Sequence, residues 1–114
     1  MKYVFFSTPM HGLDENEIKE KFKQLVERLP EDYMVIDNYH KPDIPVFADY
    51  DSVRIWMLGD SISKMARADI VIFSPYWSNS EGCKIEMNVA IAYHKKILVI
   101  ARSEERFSRN AETD

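Results

Sequence analysis

The chain carries one cysteine, Cys83, so an intramolecular disulfide and a cysteine-based metal cluster are both excluded. Its three histidines, His11, His40 and His94, are scattered without metal-ligand spacing, and neither a metal nor a cofactor is expected. Glycine is scarce too. The segment with Ser80 and Gly82 is not a P-loop, which needs more glycines and a lysine. Long apolar runs are also missing. Met1 to Met10 holds one lysine and the short run Tyr3 to Phe6, too little for a signal-peptide core, and nothing approaches a membrane span. A reducing cytoplasm is the expected location, with no membrane partner. Positive charge is in deficit: 15 Lys and Arg against 19 Asp and Glu give a net charge of −4, which argues against a nucleic-acid polymer as partner. A small anionic ligand stays compatible, because a local nest of N–H groups binds anions within an acidic protein.

What is present is an ordinary globular composition, 46% hydrophobic and 30% charged over 114 residues, enough for one core. Tyr3 to Phe6 reads as a buried strand, apolar without alternation. Asp14 with Glu17 forms a capping-box pattern, and Ile18, Phe22, Leu25, Val26 and Leu29 recur at helical spacing until Pro30 ends the helix. Tyr33 to Ile36 is a second strand. Residues 37–50 read as a loop, with Pro42 and Pro45, and a second helix is expected from Ser52 to Ala66 despite Gly59. Strand three starts at Asp69 and holds Ile70 to Phe73. The loop Ser78 to Glu86 leads to helix three, Met87 to His94, and Ile97 to Ala101 makes strand four. Alternating strands and helices predict a three-layer α/β domain, a mainly parallel sheet of four or five strands with helices on both faces. Right-handed crossovers would set strands one and three side by side. The domain is expected to span 1–102, followed by a polar tail at 103–114.

Ligands of such sheets sit beyond the carboxyl ends of the strands, where helix N-termini offer free N–H groups. Two loops are expected to meet there. The first contributes Ser7, Pro9, Met10, His11 and Gly12 as substrate contacts, and the second contributes Ser80 and Gly82. Glu86 would project from helix three into this crevice, and Asp60 would enter from helix two. Paired carboxylates near a sugar can divide work, one at the anomeric carbon and one handling a proton. Plainer roles stand beside these. Glu86 and Asp60 also suit solvated helix faces, Ser80 suits a helix cap, Tyr76 and Trp77 suit core or rim packing as well as base stacking, and His11 suits a surface loop. Cys83 reads as a small packing residue.

In combination these residues resemble the nucleoside 2-deoxyribosyltransferase-like superfamily, in particular its small uncharacterised members with a Ser-Gly-Pro-Met-x-Gly turn, near the nucleoside 5′-monophosphate N-glycosidases. The matching blocks are Ser7-Thr8-Pro9-Met10-His11-Gly12, then Asp60, Ala68-Asp69-Ile70-Val71, Ser80-x-Gly82-x-x-x-Glu86, Ala90 and Lys96-Ile97-Leu98-Val99. The resemblance implies a Rossmann-like or flavodoxin-like fold and cleavage of a base–sugar bond in a nucleoside or nucleotide. Glu86 would be the nucleophile that forms a glycosyl ester. Asp60 would contact the leaving base and help to protonate it. Ser80, six residues before Glu86, points to a 5′-monophosphate substrate with water as acceptor, because the nucleoside transferases tend to carry an aspartate there. Three departures stand out: Thr8 replaces the turn glycine, Phe5 stands where active relatives carry tyrosine, and no arginine occupies the first turn. A non-catalytic nucleotide-binding or sensing module is the alternative.

Helices two and three carry apolar residues on several faces: Trp56, Met57 and Leu58 on one, and Met87, Ile91 and Tyr93 on the other. A homodimer with twofold symmetry through helix two or three, or a higher homo-oligomer, is therefore expected, in line with the oligomers of the resembled superfamily.

Overall fold

The structure is a computed structural model that describes residues 1–37 and 43–101. His40, Pro42 and the expected tail at 103–114 lie outside the described residues. The elements run β1 (Lys2–Ser7), α1 (Glu15–Arg28), β2 (Tyr33–Val35), α2 (Tyr50–Met65), β3 (Ile70–Phe73), a 3₁₀ turn (Trp77–Asn79), α3 (Glu81–Ala92) and β4 (Lys96–Val99). The four strands form one all-parallel sheet in the order β2-β1-β3-β4, a Rossmann-like α/β arrangement with β1 beside β3 as expected. The chain moves outward from β1 to β2, crosses back to β3, and continues to β4. The reversal falls between β1 and β3, which is where open sheets of this kind hold their ligands.

Strand alternation divides the core. Val4, Phe6, Ile70 and Ile72 meet Ile18, Phe22 and Leu25 of α1 on one face. Phe5, Val71 and Phe73 meet Met65 of α2 and Met87 and Ala90 of α3 on the other. Covering both faces explains why β1 and β3 are continuous apolar runs. Val4, Phe5, Val71 and Phe73 have no solvent exposure, and burial of each such side chain stabilises the fold by about 1.5–3 kcal/mol.

Local signals position these elements. Asp14 caps α1, its Oδ1 accepting from the Glu17 N–H at 2.8 Å while Glu17 Oε1 accepts from the Asp14 N–H at 3.2 Å. Asp69 ties the start of β3 to β1 by accepting from the Tyr3 N–H at 2.7 Å. The last turn of α3 closes with His94 in the left-handed region at φ 59 and the Lys95 N–H bonded to the Ala90 carbonyl at 2.9 Å.

Two helix starts and one turn stand apart from expectation. Helix three starts at Glu81, six residues before Met87, because Ser80 caps it and Gly82 is carried inside its first turn. Helix two starts at Tyr50, where Asp49 accepts from the Ser52 N–H at 2.7 Å. The 3₁₀ turn at Trp77–Asn79 had no signal in the apolar pattern, since it buries no residue.

Candidate active site

The site begins with parity along β1. Ser7 shares the face of Phe5 and so points toward α3, while Thr8 turns to the side of α1. Ser7 is in register with Phe73, and its carbonyl accepts from the Ser74 N–H at 3.0 Å, so the ladder closes at the carboxyl edge.

On α3, the buried residues Cys83, Glu86, Met87 and Ala90 fall at helical spacing on the stripe that faces the sheet. A carboxylate therefore occupies a core position. Ser7 Oγ donates to Glu86 Oε1 at 2.6 Å, and Glu86 is 7% exposed. Burial pushes its pKa up to about 7 from an ordinary 4.5, against the opposing effect of the Ser7 hydroxyl bond, which favours the ionised form.

The other expected site residues are distributed as follows. Ser80 is the N-cap of α3, its Oγ accepting from the Cys83 N–H at 3.3 Å. Gly82 lies in the first turn against α2, where an added Cβ would sit 3.9 Å from Leu58 Cδ1 and 3.9 Å from Ser80 Oγ. Gly12 takes φ 83, a conformation that favours glycine, and is exposed together with His11. Pro9 lines the α1 side of the sheet edge, and Met10 packs against the α1 core cluster. Asp60 bonds to Lys64 at 3.0 Å one helical turn along α2, and both side chains are a quarter exposed. Trp77 packs on Phe73 with ring centroids 5.7 Å apart, whereas Tyr76 is exposed. The structure thus brings Ser7, Glu86, Cys83 and Ser80 together and holds Asp60 in an ion pair on α2.

Phe5, where the resembled enzymes carry tyrosine, is wholly buried, and the hydroxyl that meets Glu86 belongs instead to Ser7. Two further side chains stand close by without a signal in the motif pattern. Cys83 has its thiol pKa raised by burial, opposed by bonds to the Ser7 and Ser80 hydroxyls and raised further by Glu86. Lys21 Nζ donates to Thr8 Oγ1 at 3.2 Å, and Thr8 is buried. Spacing on α1 could have pointed to Lys21, since it lies one turn before Leu25 of the core. Among the described residues, no group of three or more His, Cys, Asp or Glu is placed to hold a metal ion, and no helix is long and apolar enough to cross a membrane.

A parallel sheet with a buried carboxylate on the crevice helix, hydrogen-bonded to the end of the central strand, defines an α/β domain with a candidate ligand site at its switch point. The chain belongs to the family described as Domain of unknown function (DUF4406), which it matches over residues 2–99. No curated protein matches the chain.

Proposed function

We propose that this chain is an N-glycosidase or 2-deoxyribosyltransferase of the nucleoside 2-deoxyribosyltransferase-like superfamily, acting on a nucleoside 5′-monophosphate through Glu86. The observation that carries this is the buried Glu86 carboxylate, oriented by Ser7 beside the β1–β3 switch point. Keeping an ionisable group there penalises folding once it is charged, so a functional reason for it is called for. Deprotonated Glu86 attacks the anomeric carbon while the base departs with the electron pair of the glycosidic bond and takes up a proton. Water, or a second base in a transferase, then opens the glycosyl ester. A pKa of about 7 leaves close to half of Glu86 ionised at neutral pH.

Asp60 is the proposed proton donor, and this role requires it to leave Lys64 when substrate binds. The Asp60–Lys64 pair also favours a second reading, in which the crevice binds a nucleotide without breaking it. Incubation with nucleoside 5′-monophosphates and chromatographic detection of free base separates the two.

The assembly we propose is a homodimer through α2 and α3, in a cytoplasmic protein. Met87 drops out of the expected contact face because it is in the core. Ile91 of α3 and Tyr93 just beyond it remain exposed, and Ile55 of α2 and Ile85 of α3 join them, with Ile55 at 72% and Tyr93 at 74% exposure. A monomeric mass by light scattering at micromolar concentration would reject this assembly.

A further inference from the structure

A cavity of about 190 Å³ opens at the carboxyl edge of β1 and β3 on the α1 side, behind the strand end where Ser7 bonds to Glu86 of α3. Its polar wall comes from Thr8 and Ser74 at the strand ends and from Lys21, Gln24 and Arg28 of α1. On α1 these three fall at positions i, i+3 and i+7, with the core residue Leu25 among them, so one helical face supplies both core packing and cation donors. The chain as a whole is acidic, at −4, yet among the described residues lining this cavity there is no Asp or Glu. Lys21 is held at the wall by its bond to the Thr8 hydroxyl, and Thr8 and Ser74 are themselves buried. Arg28 has no ion-pair partner among the described residues.

We infer that this cavity is an anion subsite that takes a phosphoryl group, with Lys21 and Arg28 as its charge donors and Gln24, Thr8 and Ser74 as its neutral hydrogen-bonding groups. Two cations, Lys21 tied to Thr8 and the exposed Arg28, match the charge of roughly −1.5 to −2 on a phosphomonoester, and the arginine fork with the neighbouring amide and hydroxyls suits its three terminal oxygens. A singly charged carboxylate would leave one cation and part of the donor set unused. The volume is smaller than the roughly 300–1,000 Å³ that encloses a whole drug-sized ligand, so the cavity takes the phosphoryl end of a molecule and not its entirety. Thr8 and Ser7 are adjacent but face opposite ways, which sets this subsite back to back with the Glu86 crevice across the end of β1. The phosphoryl group belongs either to the molecule in that crevice or to a separate phosphorylated ligand. The subsite itself stands on the α1 wall and does not depend on Glu86 being a nucleophile.

Titration of the isotopically labelled protein with inorganic phosphate at low ionic strength, followed by amide NMR shifts, tests the assignment. Saturable shifts at Thr8, Ser74 and the 21–28 segment of α1 are expected. Lys21→Ala and Arg28→Ala should each weaken binding about tenfold or more, because charge-assisted hydrogen bonds are lost. Lys23→Ala, which removes a cation of the same helix that does not line the cavity, should leave the affinity unchanged. Alanine suits a helix, so these variants are expected to fold. A second titration uses the Glu86→Gln protein with a nucleoside 5′-monophosphate. Competition with phosphate assigns the group to the crevice molecule, and simultaneous binding assigns it to a separate ligand. Absence of saturable phosphate binding, shifts confined to α3, or wild-type affinity in the Lys21 and Arg28 variants would overturn the subsite. None of those results bears on base release by Glu86, which is read from the wild-type turnover.

Discussion

Ser7 and Glu86 are joined by a 2.6 Å hydrogen bond across a sequence separation of 79 positions. The bond fixes the carboxylate of a helix to the end of the central strand, a more rigid support than either loop provides. Burial, opposed by this bond, raises the carboxyl pKa to about 7, the poise of a group that exchanges between neutral and ionised forms near physiological pH.

Burial of Glu86 makes stability depend on pH with a definite sign. The unfolded chain releases this proton near 4.5 and the folded chain near 7, so the folded state holds the extra proton between those values. Its stability contribution is therefore greatest below pH 4.5, falls across pH 4.5 to 7, and is flat above. The loss amounts to about 3 kcal/mol at about 1.4 kcal/mol per pH unit. Denaturant melts of wild type and Glu86→Gln at pH 5 and pH 8 check this: the fall should be present in the wild type and absent in the variant. An equal fall in both would place the dependence elsewhere.

Ser7→Ala removes the bond that favours ionised Glu86, so the carboxyl pKa should rise above its present value. Carbon NMR of the labelled glutamate carboxyls would follow the titration directly, and the acidic limb of kcat/KM should move the same way. An unchanged midpoint would mean that the Ser7 hydroxyl does not tune the group.

The two crevice glycines should respond oppositely to alanine. Gly12 needs its positive φ, so Gly12→Ala should destabilise by about 1 kcal/mol or more. Gly82 is helical with only ordinary contacts awaiting a Cβ, so Gly82→Ala should hold or raise the melting temperature, by up to about 1 kcal/mol in stability. If Gly82 also contacts substrate, the same variant will raise KM without losing stability.

His94 occupies the left-handed position after α3, at φ 59 and exposed to solvent. His94→Gly should therefore stabilise the protein by about 1 kcal/mol, seen as a higher midpoint in denaturant. A lower midpoint would show that the imidazole makes a contribution larger than the backbone strain.

Much of the architecture was legible because the physics is local. The apolar runs at β1 and β3, the Asp14–Glu17 cap and Pro30 each specify an element on their own, and alternation then orders the sheet. The start of α3 was less so: Gly82 and the polar run before it suggest a loop, and only the Ser80 cap turns them into helix. Glu86 stood out as a carboxylate on a crevice helix, but its hydrogen-bond partner is Ser7, which is distant in sequence. For the same reason the Lys21–Thr8 contact could not be read from either segment alone. Asp60 shows the converse, since Lys64 four residues on offers a local partner that the motif pattern ignores.

The most direct test of the central claim is release of free base from a panel of nucleoside 5′-monophosphates, quantified by chromatography for wild type and Glu86→Gln. The account predicts release by the wild type and a loss of roughly 10³-fold or more in the folded variant, because an amide cannot form the glycosyl ester. Undiminished release by Glu86→Gln, or no release by the wild type from any member of the panel, would contradict it.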